Sequence, residues 1–193
     1  MKKNYNILIA GVGGQGIILT SDILSHAALL SGFDVKKSEI HGMSQRGGNV
    51  FSFIRYGEKI YSPIIPMEEA DILISFEQME VLRWLDYTHK DTTIIYSDIR
   101  ILPASVILGR EKYPDDIEEI LCSSFSRVIK VEKENILHKI KSIKYLNTLM
   151  LGIASLDLNI KDQVWEESVK HQVPERTLKD NMDAFMSGKE YLK

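Results

Sequence analysis

Short apolar runs alternate along this chain with longer stretches in which apolar side chains recur every three or four positions, the rhythms of buried strands and amphipathic helices. Residues 5–10, Tyr-Asn-Ile-Leu-Ile-Ala, predict a strand that feeds straight into the glycine turn Gly11-Val-Gly-Gly-Gln-Gly16. Residues 17–31 then carry helical spacing through Ile17, Leu19, Ile23, Leu24, Ala27, Ala28 and Leu30, with Gly32 as the C-terminal cap. A second strand is expected over 33–37, a polar glycine-rich loop over 39–48, a third strand over 49–55 and a turn at Tyr56-Gly-Glu. Residues 70–76 and 92–97 read as buried strands, separated by a helix over 77–87 through Met79, Leu82 and Leu85. Pro103 and Pro114 bracket an irregular connection, followed by a helix over 117–125 and a last core strand over 127–131. From Glu134 the pattern is helical to the end, continuous over 135–156 and interrupted by Pro174 before a final helix over 175–186.

Strands alternating with helices predict an α/β fold: a Rossmann-like, mostly parallel sheet flanked by helices, with a helical C-terminal segment. At 193 residues the chain is read as a single domain, 1–193, large enough to bury a core without staples. A net charge of -3 gives no general attraction to nucleic acid or acidic membrane, so neither is expected as a partner. No apolar run reaches the roughly 18 residues that span a bilayer, and Met1-Lys-Lys-Asn-Tyr-Asn enters the first strand too soon for a signal peptide, so the expected location is the cytoplasm. Cys122 is the single cysteine, which excludes an intrachain disulfide and a four-cysteine iron-sulfur or zinc site made by this chain alone.

The glycine turn is the first candidate for chemistry. Gly11, Gly13 and Gly16 allow a tight turn, close approach of a ligand to backbone and close helix packing, and the N–H groups opening the next helix would face an anion. The purely architectural reading, glycines that seat the helix on the sheet, stands beside it. The second candidate is Ile40-His-Gly-Met-Ser-Gln-Arg-Gly-Gly48, whose glycines permit close approach and whose Arg46 has the geometry to grip a carboxylate or phosphate. A turn with Arg46 in solvent is the plain alternative, and His41 has no second ligand at metal spacing. An NAD site would place an acid about 20 residues after the glycines, where this chain has Val35-Lys-Lys-Ser38. Lys36 and Lys37 would instead suit a phosphorylated ribose, which keeps open an NAD(P)-dependent reductase and a non-catalytic nucleotide sensor as rival readings.

Together, Gly11-Val-Gly-Gly-Gln-Gly-Ile17 and the Ser44-Gln-Arg-Gly-Gly48 loop resemble the gamma-type subunit or domain of 2-oxoacid:ferredoxin oxidoreductases. The Met-Ser-Gln form of the loop sets the chain nearest the indolepyruvate branch. Asn147-Thr-Leu-Met-Leu-Gly152 and Asn181-Met-Asp-Ala-Phe-Met-Ser-Gly188 resemble the closing segments of that family. The resemblance implies a shared reaction: CoA-dependent oxidative decarboxylation of a 2-oxoacid on thiamine diphosphate, with electrons passing through iron-sulfur clusters to ferredoxin. It further implies that thiamine diphosphate, the clusters and coenzyme A are held through a large partner subunit, and that this chain supplies no catalytic acid, base, nucleophile or metal ligand. Its expected cofactor-facing residues are Gly11, Gly13, Gly14, Gln15, Gly16, Ser44, Gln45, Arg46, Gly47 and Gly48. The isolated chain is expected to be inactive, and a homodimer is expected where it buries the surface meant for its partner.

Overall fold

The computed structural model describes residues 4–41 and 48–192. Strand β1 (Asn4–Val12) lies inside a six-stranded sheet because its apolar run leaves no polar side for water. Strands β2 (Asp34–His41), β3 (Asn49–Gly57), β4 (Ala70–Ser75), β5 (Thr88–Ser97) and β6 (Arg127–Val131) complete it in the order β2-β3-β1-β4-β5-β6. β1, β4, β5 and β6 pair in parallel, and β3 runs antiparallel to both β1 and β2. The expected α/β, mostly parallel architecture therefore holds, with a hairpin as its one departure.

That hairpin corrects two boundaries. β2 continues through Glu39 to His41, where a loop is expected, and β3 continues through Tyr56 to Gly57, where a turn is expected. Polar Lys37 and Glu39 do not end the strand because their side chains meet Asp22 and Ser21 on the neighbouring helix. Tyr56 is buried and stacks on Tyr5 with ring centroids 4.9 Å apart.

Among the described residues are seven α-helices: α1 (Ile17–Leu30), α2 (Ala104–Ile107), α3 (Ile117–Ser124), α4 (Lys133–Lys139), α5 (Leu146–Ala154), α6 (Asp162–Gln172) and α7 (Glu175–Lys189). α1 stops as expected: Gly32 takes φ +85°, its N–H reaches the Leu29 carbonyl and that of Phe33 reaches Ala28. The segment expected as one helix over 135–156 is instead α4, a 3-10 turn at Ile143–Tyr145 and α5. Ile140 is extended and buried, so an apolar position that fits helical spacing serves the core from outside a helix. The helix expected over 77–87 is a 3-10 segment, Glu80–Tyr87.

Alternate strand residues divide the core. Ile7, Ile9, Ile54, Ile72, Ile74 and Ile95 face α1 and α5 to α7, with fully buried Trp165 and Phe185 filling that side. Leu8, Ala10, Phe53, Leu73, Ile94 and Tyr96 face the 3-10 segment and α3. On the first face, α5 and α7 cross at backbone contact. A Cβ on Gly152 would stand 2.1 Å from the Phe185 carbonyl oxygen, and one on Gly188 would stand 2.0 Å from that of Leu149. Buried Thr148 donates to Asn181 Oδ1 at 2.7 Å across the same crossing. The two closing motifs of the sequence are thus the two sides of one contact. No helix among the described residues is long and apolar enough to cross a membrane.

Candidate functional site

β1 hands over to α1 at the C-terminal edge of the parallel strands, the edge at which open α/β sheets receive ligands. Gly14 and Gly16 take φ +99° and +85°, conformations that side chains with a Cβ rarely adopt. Beside Gly14 there is open space, whereas a Cβ on Gly16 would meet the amide of Asn147 at 2.6 Å and one on Gly11 would meet Gln15 Oε1 at 2.8 Å. Gln15 accepts from the Val12 N–H at 2.7 Å and donates to the Phe76 carbonyl at 2.7 Å, which ties the turn to the end of β4.

The Gly13 N–H donates to the Gly48 carbonyl at 3.0 Å, so the two sequence motifs meet through a backbone bond. Ser44, Gln45, Arg46 and Gly47 lie outside the described residues. Groups that the sequence offers to a ligand, the Gly13 N–H and the Gln15 amide, are taken up within the protein. What the turn presents outward is exposed Gly14 and the start of α1, whose N-cap Gly16 brings no side chain.

Next to the turn is a buried polar corner that sequence reasoning missed. It follows β4 directly and is fixed by Glu77, which is 1% exposed. One Glu77 oxygen accepts from the Ile101 N–H at 3.1 Å and the Tyr113 hydroxyl at 2.6 Å, and the other accepts from the Glu80 N–H at 2.9 Å. Glu80, 2% exposed, accepts from Arg83 Nε at 2.9 Å, and its buried Oε2 has no hydrogen-bond partner among the described residues. Burial pushes the Glu80 carboxyl above the ordinary carboxylate range, against the pull of the Arg83 guanidinium. Gln78 accepts from Arg100 Nε at 2.8 Å. The signal available in the sequence was two acids in Phe76-Glu-Gln-Met-Glu80, directly after a strand of the buried type.

The rival reading loses its ground here. In a dinucleotide site the second strand neighbours the first, but β3 stands between β1 and β2. Lys36 pairs with Asp34, and Lys37 lies in mid-strand, paired with Asp22 and Glu39. Among the described residues no group of three His, Cys, Asp or Glu side chains is gathered to hold a metal.

A separate titratable pair joins α1 to α6. His26 and His171 stack with centroids 4.4 Å apart. Ser168 gives its hydroxyl hydrogen to the Ile23 carbonyl, so its oxygen accepts from His26 Nδ1, which carries the proton. Burial first, then the charge of His171, holds the His26 pKa below 6.5, against the opposing pull of Glu167. A depressed folded-state value means that the unfolded chain takes up the proton first as pH falls. Stability contributed at neutral pH is therefore lost below about pH 6.5. Urea denaturation at a series of pH values should show this fall, and it should be shallower in His26→Gln; identical slopes would remove His26 as its source.

Residues 6–191 match the pyruvate ferredoxin/flavodoxin oxidoreductase family. The indolepyruvate oxidoreductase subunit IorB of Methanothermobacter thermautotrophicus is 37% identical over 189 residues, 96% of each chain. The subunit of the same name from Thermococcus kodakarensis is 34% identical over 191 residues, 96% of this chain and 95% of its own. The solved 2-oxoglutarate:ferredoxin oxidoreductase of Magnetococcus marinus, with 2-oxoglutarate, coenzyme A and succinyl-CoA bound, matches with a TM-score of 0.74 at 23% identity. That match covers 98% of this chain and 31% of the other, and at such identity the likeness is one of fold.

Proposed function

The chain belongs to the pyruvate ferredoxin/flavodoxin oxidoreductase family, and from that premise we propose that it is the small subunit of a 2-oxoacid:ferredoxin oxidoreductase of the indolepyruvate type. The observation that carries this reading is identity of 34% and 37% to indolepyruvate oxidoreductase subunits along 96% of the chain. The reaction is oxidative decarboxylation of an arylpyruvate to an aryl-acetyl-CoA thioester, with ferredoxin as electron acceptor. A large partner subunit holds the thiamine diphosphate and the iron-sulfur clusters, and the complex works in the cytoplasm. With its single cysteine at Cys122, this chain does not ligate a four-cysteine cluster.

Its own contribution lies at the C-terminal edge of the sheet. Gly11, Gly13 and Gln15 shape the turn, and Gly13 holds Gly48 against it; the ligand-binding role toward coenzyme A or the substrate carboxylate falls to Gly14, Gly16, Ser44, Gln45, Gly47 and above all Arg46. The support is the Gly13–Gly48 backbone bond together with the outward-facing start of α1.

The test is reconstitution with the large subunit that co-purifies with it from the native host. The complex should reduce ferredoxin with indolepyruvate only when coenzyme A is present, and the chain alone should not. Arg46→Ala should weaken the affected Michaelis constant about ten- to hundredfold, the loss of one charge-assisted hydrogen bond. Arg46→Lys should recover part of it, since an ammonium keeps the charge and loses the fork. Unchanged constants for both ligands in an intact complex would retire Arg46 as a ligand contact, and failure to assemble with any such subunit would retire the function.

A further inference from the structure

The two edges of the sheet are treated differently. At β6, five residues long, the Tyr191 hydroxyl donates to the Lys130 carbonyl at 3.2 Å and accepts from the Glu132 N–H at 3.3 Å, so a side chain covers that edge. β2 is eight residues long and pairs with β3 in one unbroken register from Asp34 to His41. Among the described residues, no backbone group outside this hairpin bonds to β2. A long, regular edge without proline or bulge is a template for another strand unless something blocks it.

Lysines commonly supply the block, and β2 has two, but both are neutralised. Lys36 pairs with Asp34 at 2.5 Å, and Lys37 pairs with Glu39 at 2.9 Å and with Asp22 of α1. Lys37 and Glu39 stand on the α1 face, and by strand alternation Lys36, Ser38 and Ile40 stand on the other, where Ile40 is 49% exposed. On the α1 face the edge opens into a groove of about 290 Å3, lined by Asp22, Ser25 and Leu29 of α1, Val35 and Lys37 of β2 and Gln172 of α6. Leu29 is 55% exposed, so apolar surface flanks the edge on both faces.

The charge pattern of β2 selects its occupant. Two identical strands that pair antiparallel about a two-fold axis are centred on one residue, and each pair then joins positions of the same parity. Centring on Lys36 or Lys37 would set lysine against lysine, and centring on Glu39 would set acid against acid. Centring on Ser38 sets Lys37 of each copy opposite Glu39 of the other, twice, and lays the aliphatic stem of Lys36 beside Ile40. We propose that β2 pairs with β2 of a second copy of this chain in the Ser38-centred register, which joins two six-stranded sheets into one.

Sedimentation equilibrium of the full chain at about 10 μM should show a dimer. Lys37→Glu and Glu39→Lys each set like charges across the seam, and each variant alone should dimerise about tenfold more weakly or worse. An equimolar mixture of the two should recover the parent affinity, because every seam pair is then again opposite in sign. In a Cys122→Ser background, Ser38→Cys should oxidise to a covalent dimer and Lys36→Cys should not. A monomeric parent would overturn the proposal, as would a dimer that Ser38→Cys fails to lock or charge variants that fail to rescue one another. Should either charge variant not fold, the Ser38→Cys result decides alone. Hydrogen-exchange protection that reaches β2 only when the large subunit binds would give the edge to that subunit and overturn the proposal equally.

Discussion

Gly152→Ala and Gly188→Ala should each lower stability by about 3 kcal/mol, near the upper end of overpacking costs in a well-packed interior. The new methyl would enter space held by a carbonyl oxygen, 2.1 Å away at Gly152 and 2.0 Å away at Gly188, and main chain cannot turn aside as a side chain does. α5 and α7 must separate, which loosens the Thr148–Asn181 bond and the packing around Phe185. In a domain of this size the change corresponds to a fall in melting temperature of about 6–12 °C. The double variant should cost less than the sum, because helices already parted for one methyl have room for the other. Thermal denaturation of the three variants checks both statements; a melting temperature within about 2 °C of the parent for either single change would refute the contact.

Glu77→Ala should be comparably severe, at least about 3 kcal/mol. The carboxylate is the shared acceptor for the N–H groups of Ile101 and Glu80 and for the Tyr113 hydroxyl, and removing it leaves those groups without their acceptor. Each buried donor left unpaired costs roughly 1–3 kcal/mol. Glu77→Gln should be milder, since its carbonyl oxygen still serves Ile101 and Tyr113 while its NH2 opposes the Glu80 N–H. Urea titration should rank the parent above Glu77→Gln and Glu77→Gln above Glu77→Ala. Equal midpoints for all three would mean that the corner is held by something other than this carboxylate.

Where an element buries itself, its sequence announced it. β1 and β4 are apolar runs, α1 has its stripe and its Gly32 stop, and the structure places them within a few residues of expectation. The end of β2 was harder to see because Glu39 looks like a loop residue until Ser21 is brought beside it. In the C-terminal segment, apolar Ile140, Leu158 and Ile160 continue a helical spacing through residues outside the helices, since the core accepts side chains from any backbone. The candidate site divides in the same way. Glycines advertise a turn by identity alone, whereas the burial of Glu77 depends on donors 24 and 36 residues farther on, which no local pattern displays.

The division of the core between two faces has a consequence for a chain still being made. Cover for the face of Leu8, Leu73 and Ile94 comes from residues no later than Val128, so that side can close once β6 has emerged. Cover for the face of Ile7, Ile74 and Ile95 includes Met150, Trp165 and Phe185, which arrive last. Until then a nearly complete sheet shows one apolar side to its surroundings, a state prone to stick to its own kind. A nascent chain stalled between β6 and α5 is thus a natural client for a holding chaperone, and a fragment cut there is a seed for aggregation.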